Sequence, residues 1–242
     1  MTQSIPSTPG APQLSLVQRF SGMLFAPKAT FESVVSYPRW LGMMLVCIYL
    51  TLLSQMAFTS TEAGRQMVFD QQIEFTERFT RVTPEMEAQM RARMDSPISK
   101  YAGLVAGPVF GIVVLAAISG ILFGIFAMTG GTASFKQVMA IVAHAGVPKT
   151  VIDVLMFAVY YAKGSMSGVT NLGVLWPGDE TAFLGRFLGS IDLLWMFYLF
   201  MLALGLAVLY RRRTQSIFLS LLGVYVVIAA AVAGVRAALG GS

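Results

Sequence analysis

Five long apolar stretches, set apart by polar segments, organise the sequence: Leu41 to about Thr59, Tyr101 to about Thr129, Val138 to Tyr161, Phe187 to Tyr210 and Ser216 to Leu239. Each supplies about the twenty residues that an α-helix needs to cross ~30 Å of hydrocarbon at ~1.5 Å per residue. The pattern predicts an all-α, polytopic membrane protein with five transmembrane helices. Arg39 and Trp40 stand just before the first stretch, where interfacial anchors belong.

Shorter patterns fill the segments between. Residues 1–12 are rich in Ser, Thr and Pro and predict a disordered N-terminus. Within 13–40, Leu14, Val17, Ser21, Leu24 and Phe25 share one helical face, with Gln18 and Arg19 off it. After Pro27, Phe31, Val34 and Val35 form a second stripe. Both pieces are too short to span, which predicts two amphipathic helices. Two placements stand open: in the headgroup layer with Lys28 and Arg39 toward anionic lipid, or packed on the bundle's own cytoplasmic end. In 60–100, Phe75, Phe79, Val82, Met86, Met90 and Met94 recur at steps of three or four, the mark of an amphipathic helix or helical hairpin. Thr83, Pro84 and Glu85 predict a helix start there: an N-cap, a first-turn proline and a dipole-favoured acid. The Phe/Met stripe either offers an adaptable face to a partner or packs on the protein or membrane surface. Residues 162–186 form the loop before the fourth span.

Composition strengthens the membrane assignment. The chain is 56% hydrophobic and 12% charged, whereas a soluble domain carries about 25% charged residues. Cys47 is the lone cysteine, which excludes an intramolecular disulfide, and His144 is the lone histidine, which excludes a multi-histidine metal site. No cofactor is expected. The net charge of +5 is assigned to loops facing anionic lipid rather than to nucleic acid, because no basic patch is interleaved with aromatic residues. The first long apolar run begins at Leu41, too late for the core of a cleaved signal peptide. The triplet Arg211, Arg212 and Arg213 between the fourth and fifth spans predicts a cytoplasmic turn. Counting back places the N-terminus inside, with 60–100 and the C-terminus outside. The basic residues of 60–100 oppose this orientation, but that segment's length and folded character lower their weight.

Two groups of residues carry candidate chemistry. Gly103, Gly107 and Gly111 are spaced by four in the second span, as are Gly120 and Gly124. Small residues in that register let helix backbones approach closely in lipid, within the chain or in a homo-oligomer. The third span holds His144, Pro148, Lys149 and Asp153, and Asp192 stands near the start of the fourth. Lys149 and Asp153, four apart, share a helix face and can pair. Pro148 lacks an amide hydrogen and frees the carbonyl of His144. His144, Lys149, Asp153 and Asp192 together make a candidate intramembrane polar centre. It serves either as polar glue that sets helix register or as a path for an ion or proton. Enzyme motifs fail on their residues: Gly164-Ser165-Met166-Ser167-Gly168 has methionine where a nucleophile elbow needs serine.

Four local patterns, in order along the chain, carry a family resemblance. Phe25-Ala26-Pro27-Lys28-Ala29-Thr30-Phe31 precedes the first span, and Gly130-Gly131-Thr132-Ala133-Ser134-Phe135-Lys136 leads into the third. Ala143-His144-Ala145-Gly146-Val147-Pro148 lies within the third, and Ser190-Ile191-Asp192-Leu193-Leu194-Trp195 opens the fourth. Together they resemble the Yip1 domain family of five-span membrane proteins, its bacterial branch in particular, over roughly residues 20–240. Eukaryotic members carry an Asp-Leu-Tyr-Gly-Pro motif near the second span, where this chain has Ala106-Gly107-Pro108; their Rab GTPase binding is not carried over. The resemblance implies a non-enzymatic scaffold or adaptor, or a shaper of membranes, in the bacterial inner membrane. Membrane lipids and a protein partner or second copy are the expected contacts, through 60–100 or the glycine faces. A small transporter built on the polar centre is the alternative.

Overall fold

The computed structural model describes residues 12–77, 80–179 and 182–239, with backbone alone at 97, 99, 100, 103 and 236–239. Residues 1–11, expected to be disordered, and Phe79 of the Phe/Met stripe lie outside them. Among the described residues the chain is helical, with no strand. The helices are α1 (Leu16–Phe25), α2 (Pro27–Ser36), α3 (Leu41–Phe58), α4 (Glu62–Glu77), α5 (Pro84–Asp95), α6 (Pro97–Met128), α7 (Phe135–Lys163), α8 (Phe183–Gly189), α9 (Leu193–Tyr210) and α10 (Thr214–Leu239). A 3-10 turn occupies Leu172–Leu175.

Helices α3, α6, α7, α9 and α10 are long and apolar enough to cross a membrane. Of these, α7 is the centre: 56% of its most apolar window is buried, against 17% for α3 and α10. It also has the lowest mean hydropathy of the five, 1.5, against 2.7 for α6. The two facts have one cause. A helix surrounded by protein can hold polar side chains that a lipid-facing helix cannot.

Caps set the ends of α7. The hydroxyl of Ser134 accepts from the Gln137 amide at 3.3 Å while Gln137 returns a bond to the Ser134 amide at 2.9 Å, satisfying two orphan donors at once. At the other end Gly164 takes the left-handed conformation, φ 70°, and ends the helix. The helix runs unbroken through Pro148.

The short N-terminal helices pack on the bundle. Ser15 and Gln18 form a capping box at the start of α1, and Pro27 opens α2 directly after Ala26. Phe31 and Val34 are wholly buried, and Gln137 of α7 donates to the Val35 carbonyl at 3.0 Å. The inward face of α1 differs from the apolar stripe in the sequence. Arg19 and Met23 turn inward, while Val17 and Phe25 are 77% and 86% exposed. Arg19 is accommodated because its guanidinium donates to the carbonyls of Leu14 at 3.1 Å and Tyr37 at 3.0 Å, tying the end of α2 to the start of α1. Val17 and Phe25 are thus left outward, while Leu24 is partly buried against the core, so these helices pack on the bundle's own end.

Two ends of the bundle differ in charge. The near end gathers α1, α2, the turn before α7 and the turn after α9, where Arg212 donates to the Thr129 carbonyl at 2.9 Å. It carries Arg19, Lys28, Arg39, Lys136, Arg211, Arg212 and Arg213 against the single acid Glu32. The far end holds α4, α5 and the 164–192 segment, and there the arginines are mixed with Glu62, Asp70, Glu74, Glu85, Glu87 and Asp95. Helix α4 folds back over the far ends of α3 and α7: Met67 and Val68 pack with Phe58, Phe157 and Tyr160. The Phe58 and Phe157 rings stack at 4.6 Å. Thr83 caps α5 as expected, accepting from the Met86 amide at 3.3 Å. The nearby Glu85 carboxyl is held below its ordinary range by a bond to its own backbone amide and by the Thr83 hydroxyl.

The fourth span starts later than its hydropathy indicates. Phe183–Gly189 forms the separate helix α8, and α9 begins at Leu193. The break is made by Asp192, whose carboxylate captures two backbone amides.

Candidate functional site

The four polar residues singled out along α7 and α9 divide into three environments. His144 is wholly buried, and its Nδ1 donates to the Ala140 carbonyl at 2.7 Å. A carbonyl can only accept, so Nδ1 carries the proton and Nε2 of a neutral ring is an acceptor. That Nε2 has no hydrogen-bond partner among the described residues. Arg19 of α1, 2% exposed, lies within electrostatic reach of His144, and its second terminal nitrogen is likewise unpartnered. Burial, with Arg39 nearby, lowers the pKa of the Arg19 guanidinium. The seam between α1 and α7 therefore holds one orphan donor and one orphan acceptor. Sequence reasoning placed Arg19 off the working face. Its signal is an arginine set among Leu16, Val17, Phe20, Met23 and Leu24 on a short helix.

Lys149 and Asp153 pair as their spacing predicts, Nζ to carboxylate oxygen at 2.6 Å. The ammonium also lies 5.2 Å from the centre of the Trp195 ring, so α9 supplies a second partner to the cation. The pair is 20% and 39% exposed, and it stands apart from the buried His144.

Asp192 joins neither group by any hydrogen bond. It is the N-cap of α9, accepting from the amides of Leu194 at 2.8 Å and Trp195 at 3.0 Å and from the hydroxyl of Thr170. Its own amide donates to Tyr225 of α10 at 2.9 Å, and the Tyr225 hydroxyl donates to the Ser190 carbonyl at 3.2 Å. These contacts clip the 164–192 segment to two spans. Asp192→Ala should destabilise the protein by about 1–2 kcal/mol through loss of the cap, with Asp192→Asn closer to the parent. Thermal unfolding in detergent checks the order, and an Ala variant as stable as the parent would refute the cap's role.

Ser167, in the segment that resembles a nucleophile elbow, is a loop residue that donates to Glu74 of α4. Among the described residues no group of three or more His, Cys, Asp or Glu could hold a metal ion.

The glycine ladder of α6 also divides. A methyl group at Gly107 would stand 3.2 Å from Leu52, and one at Gly111 would stand 2.4 Å from Ile48, so both positions serve close packing against α3. At Gly120 and Gly124 the same methyl would meet nothing within 4 Å. The backbone of Gly103 lies on α6, and its surroundings are outside the described side chains.

A cavity of about 690 Å³ opens at the far end, where the last turns of α3 and the first turns of α6 meet α4 and α5. A second, of about 510 Å³, adjoins it along α4. Neither is lined by His144, Lys149, Asp153 or Asp192.

No curated protein and no solved structure matches the chain. A family model does, over residues 21–235, which takes in α2 to α9, the second half of α1 and most of α10. The five apolar helices are the spans of a multi-pass membrane protein, and the match covers nearly all of them: the chain belongs to the Yip1 domain family.

Proposed function

We propose that this protein is a non-catalytic membrane scaffold or adaptor, which binds a second copy or a partner helix through the outer face of α6. The observation that carries this reading is the division of the glycine ladder. Gly107 and Gly111 are consumed by α3, whereas Gly120 and Gly124 stand open on a helix whose Ala117, Ile121 and Ile125 are exposed. In lipid, where the hydrophobic drive between helices is absent, an open four-residue glycine spacing offers the close backbone approach that favours association. The charge of the two ends supports a cytoplasmic N-terminus in a bacterial inner membrane, with the near end against anionic lipid at about 1 kcal/mol per surface Lys or Arg. The transport reading has less to rest on, since the cavities open away from the Lys149–Asp153 pair.

A cysteine at Ala117, in a Cys47→Ser background, tests the contact by cross-linking in native membranes. The expected result is one defined cross-linked species that Gly120→Ile with Gly124→Ile reduces at least about tenfold. A cross-linking pattern identical to that of a cysteine at Val227, an exposed position on α10, would sink the reading.

A further inference from the structure

The far-end cavity sits across the boundary between apolar and polar chain. Its walls within the spans are Leu52, Gln55 and Met56 of α3 and Leu104 of α6. Beyond them its walls include Gln72 of α4 and Met90, Arg93 and Met94 of α5. A volume of about 690 Å³ falls in the usual range of about 300–1,000 Å³ for small-molecule sites. Thioether side chains conform to irregular apolar ligands, and three of them line this one, Met56, Met90 and Met94.

The arginines at the rim are not equivalent. Arg65 is held by Glu62 and the Thr59 and Ser60 carbonyls. Arg91 turns away, to Glu87, Gln66 and the face of Phe69. The Arg93 guanidinium lines the cavity with no acid or hydrogen-bond partner among the described residues. A guanidinium without an acid partner, beside a largely apolar, methionine-lined floor that reaches the ends of two spans, matches one chemistry. That is an amphiphile whose chain lies along the spans and whose anionic head meets the cation.

We propose that this cavity binds one anionic phospholipid, its phosphate at Arg93 and an acyl chain against Leu52, Met56 and Leu104. A photoactivatable phosphatidylglycerol, offered to the full-length protein in nanodiscs, tests it. Labelled peptides should come from the α5 segment and the start of α6. Arg93→Ala should cut that labelling about tenfold, and phosphatidylcholine with the same chain should label it at least about tenfold less. Leu104→Trp, which fills the apolar floor, should abolish labelling while helical content and unfolding temperature stay unchanged. Equal labelling by the two lipids would overturn the proposal, as would labelling that survives both variants. Competition by inorganic phosphate at millimolar concentration would show a free-anion site instead of a lipid site and would overturn it equally.

Discussion

Gly205→Leu should be the most damaging single substitution in the membrane bundle. Gly205 lies on α9 where α2 and α7 converge, and a methyl group there would stand 2.6 Å from Ile141 and 2.8 Å from Phe31. Both neighbours are wholly buried, so neither can swing clear. Forcing methylenes into a packed core costs about 1–3 kcal/mol through displaced side chains and backbone, and here four carbons must be placed among three helices. Gly205→Ala should cost less and Gly205→Leu more, read as successive falls in unfolding temperature in one detergent. Phe31→Ala in the Gly205→Leu background should recover part of the loss, because it vacates the space the leucine needs. Gly146→Ala supplies the contrast: nothing stands within 4 Å of the added methyl, and helix propensity favours alanine by about 1 kcal/mol. A Gly205→Leu protein as stable as its parent would mean that Phe31 does not dock α2 on α9.

The second large effect is a coupling. Lys149→Met leaves a carboxylate on α7 with no cation, whereas Asp153→Asn leaves an ammonium that keeps the Trp195 ring 5.2 Å away. A lone charge at the centre of a membrane helix costs about 3 kcal/mol on insertion scales. Asp153 is 39% exposed rather than fully enclosed, so a cost on the order of 1–3 kcal/mol is expected. Lys149→Met should therefore be the worse single change, and the double variant should lose about 1 kcal/mol less than the two singles summed. Unfolding measured across the four proteins checks both claims. Strict additivity would remove the ion pair from the account, and a reversed order would remove the tryptophan contact.

Local spacing made some of the site legible. Lys149 and Asp153 are four apart on one helix, and i,i+4 neighbours meet whatever surrounds them. Thr83-Pro84-Glu85 specified a helix start for the same reason, since a cap needs only its own first turn. The grouping of His144 and Asp192 with that pair did not follow. Asp192 lies at the first turn of a span, where free amides compete for its carboxylate, and they hold it. His144 lies five residues from Lys149, which on a helix turns it to another side. The division of the glycines was equally hidden, because a run of small residues in lipid carries no sign of which helix approaches it.

What the sequence alone determined is the membrane character, the number and order of the spans and the kinship to a five-span family. These depend on the length and polarity of consecutive residues, and the bilayer imposes that constraint on each segment separately. Only the tertiary structure decided that α7 is the core, that Arg19 faces inward, that Gly120 and Gly124 remain open, and that a cavity lined by Arg93 forms at the far end. Each of those depends on which side chains from distant segments fill the same space. Helix–helix packing sets that, and no periodicity within one segment contains it.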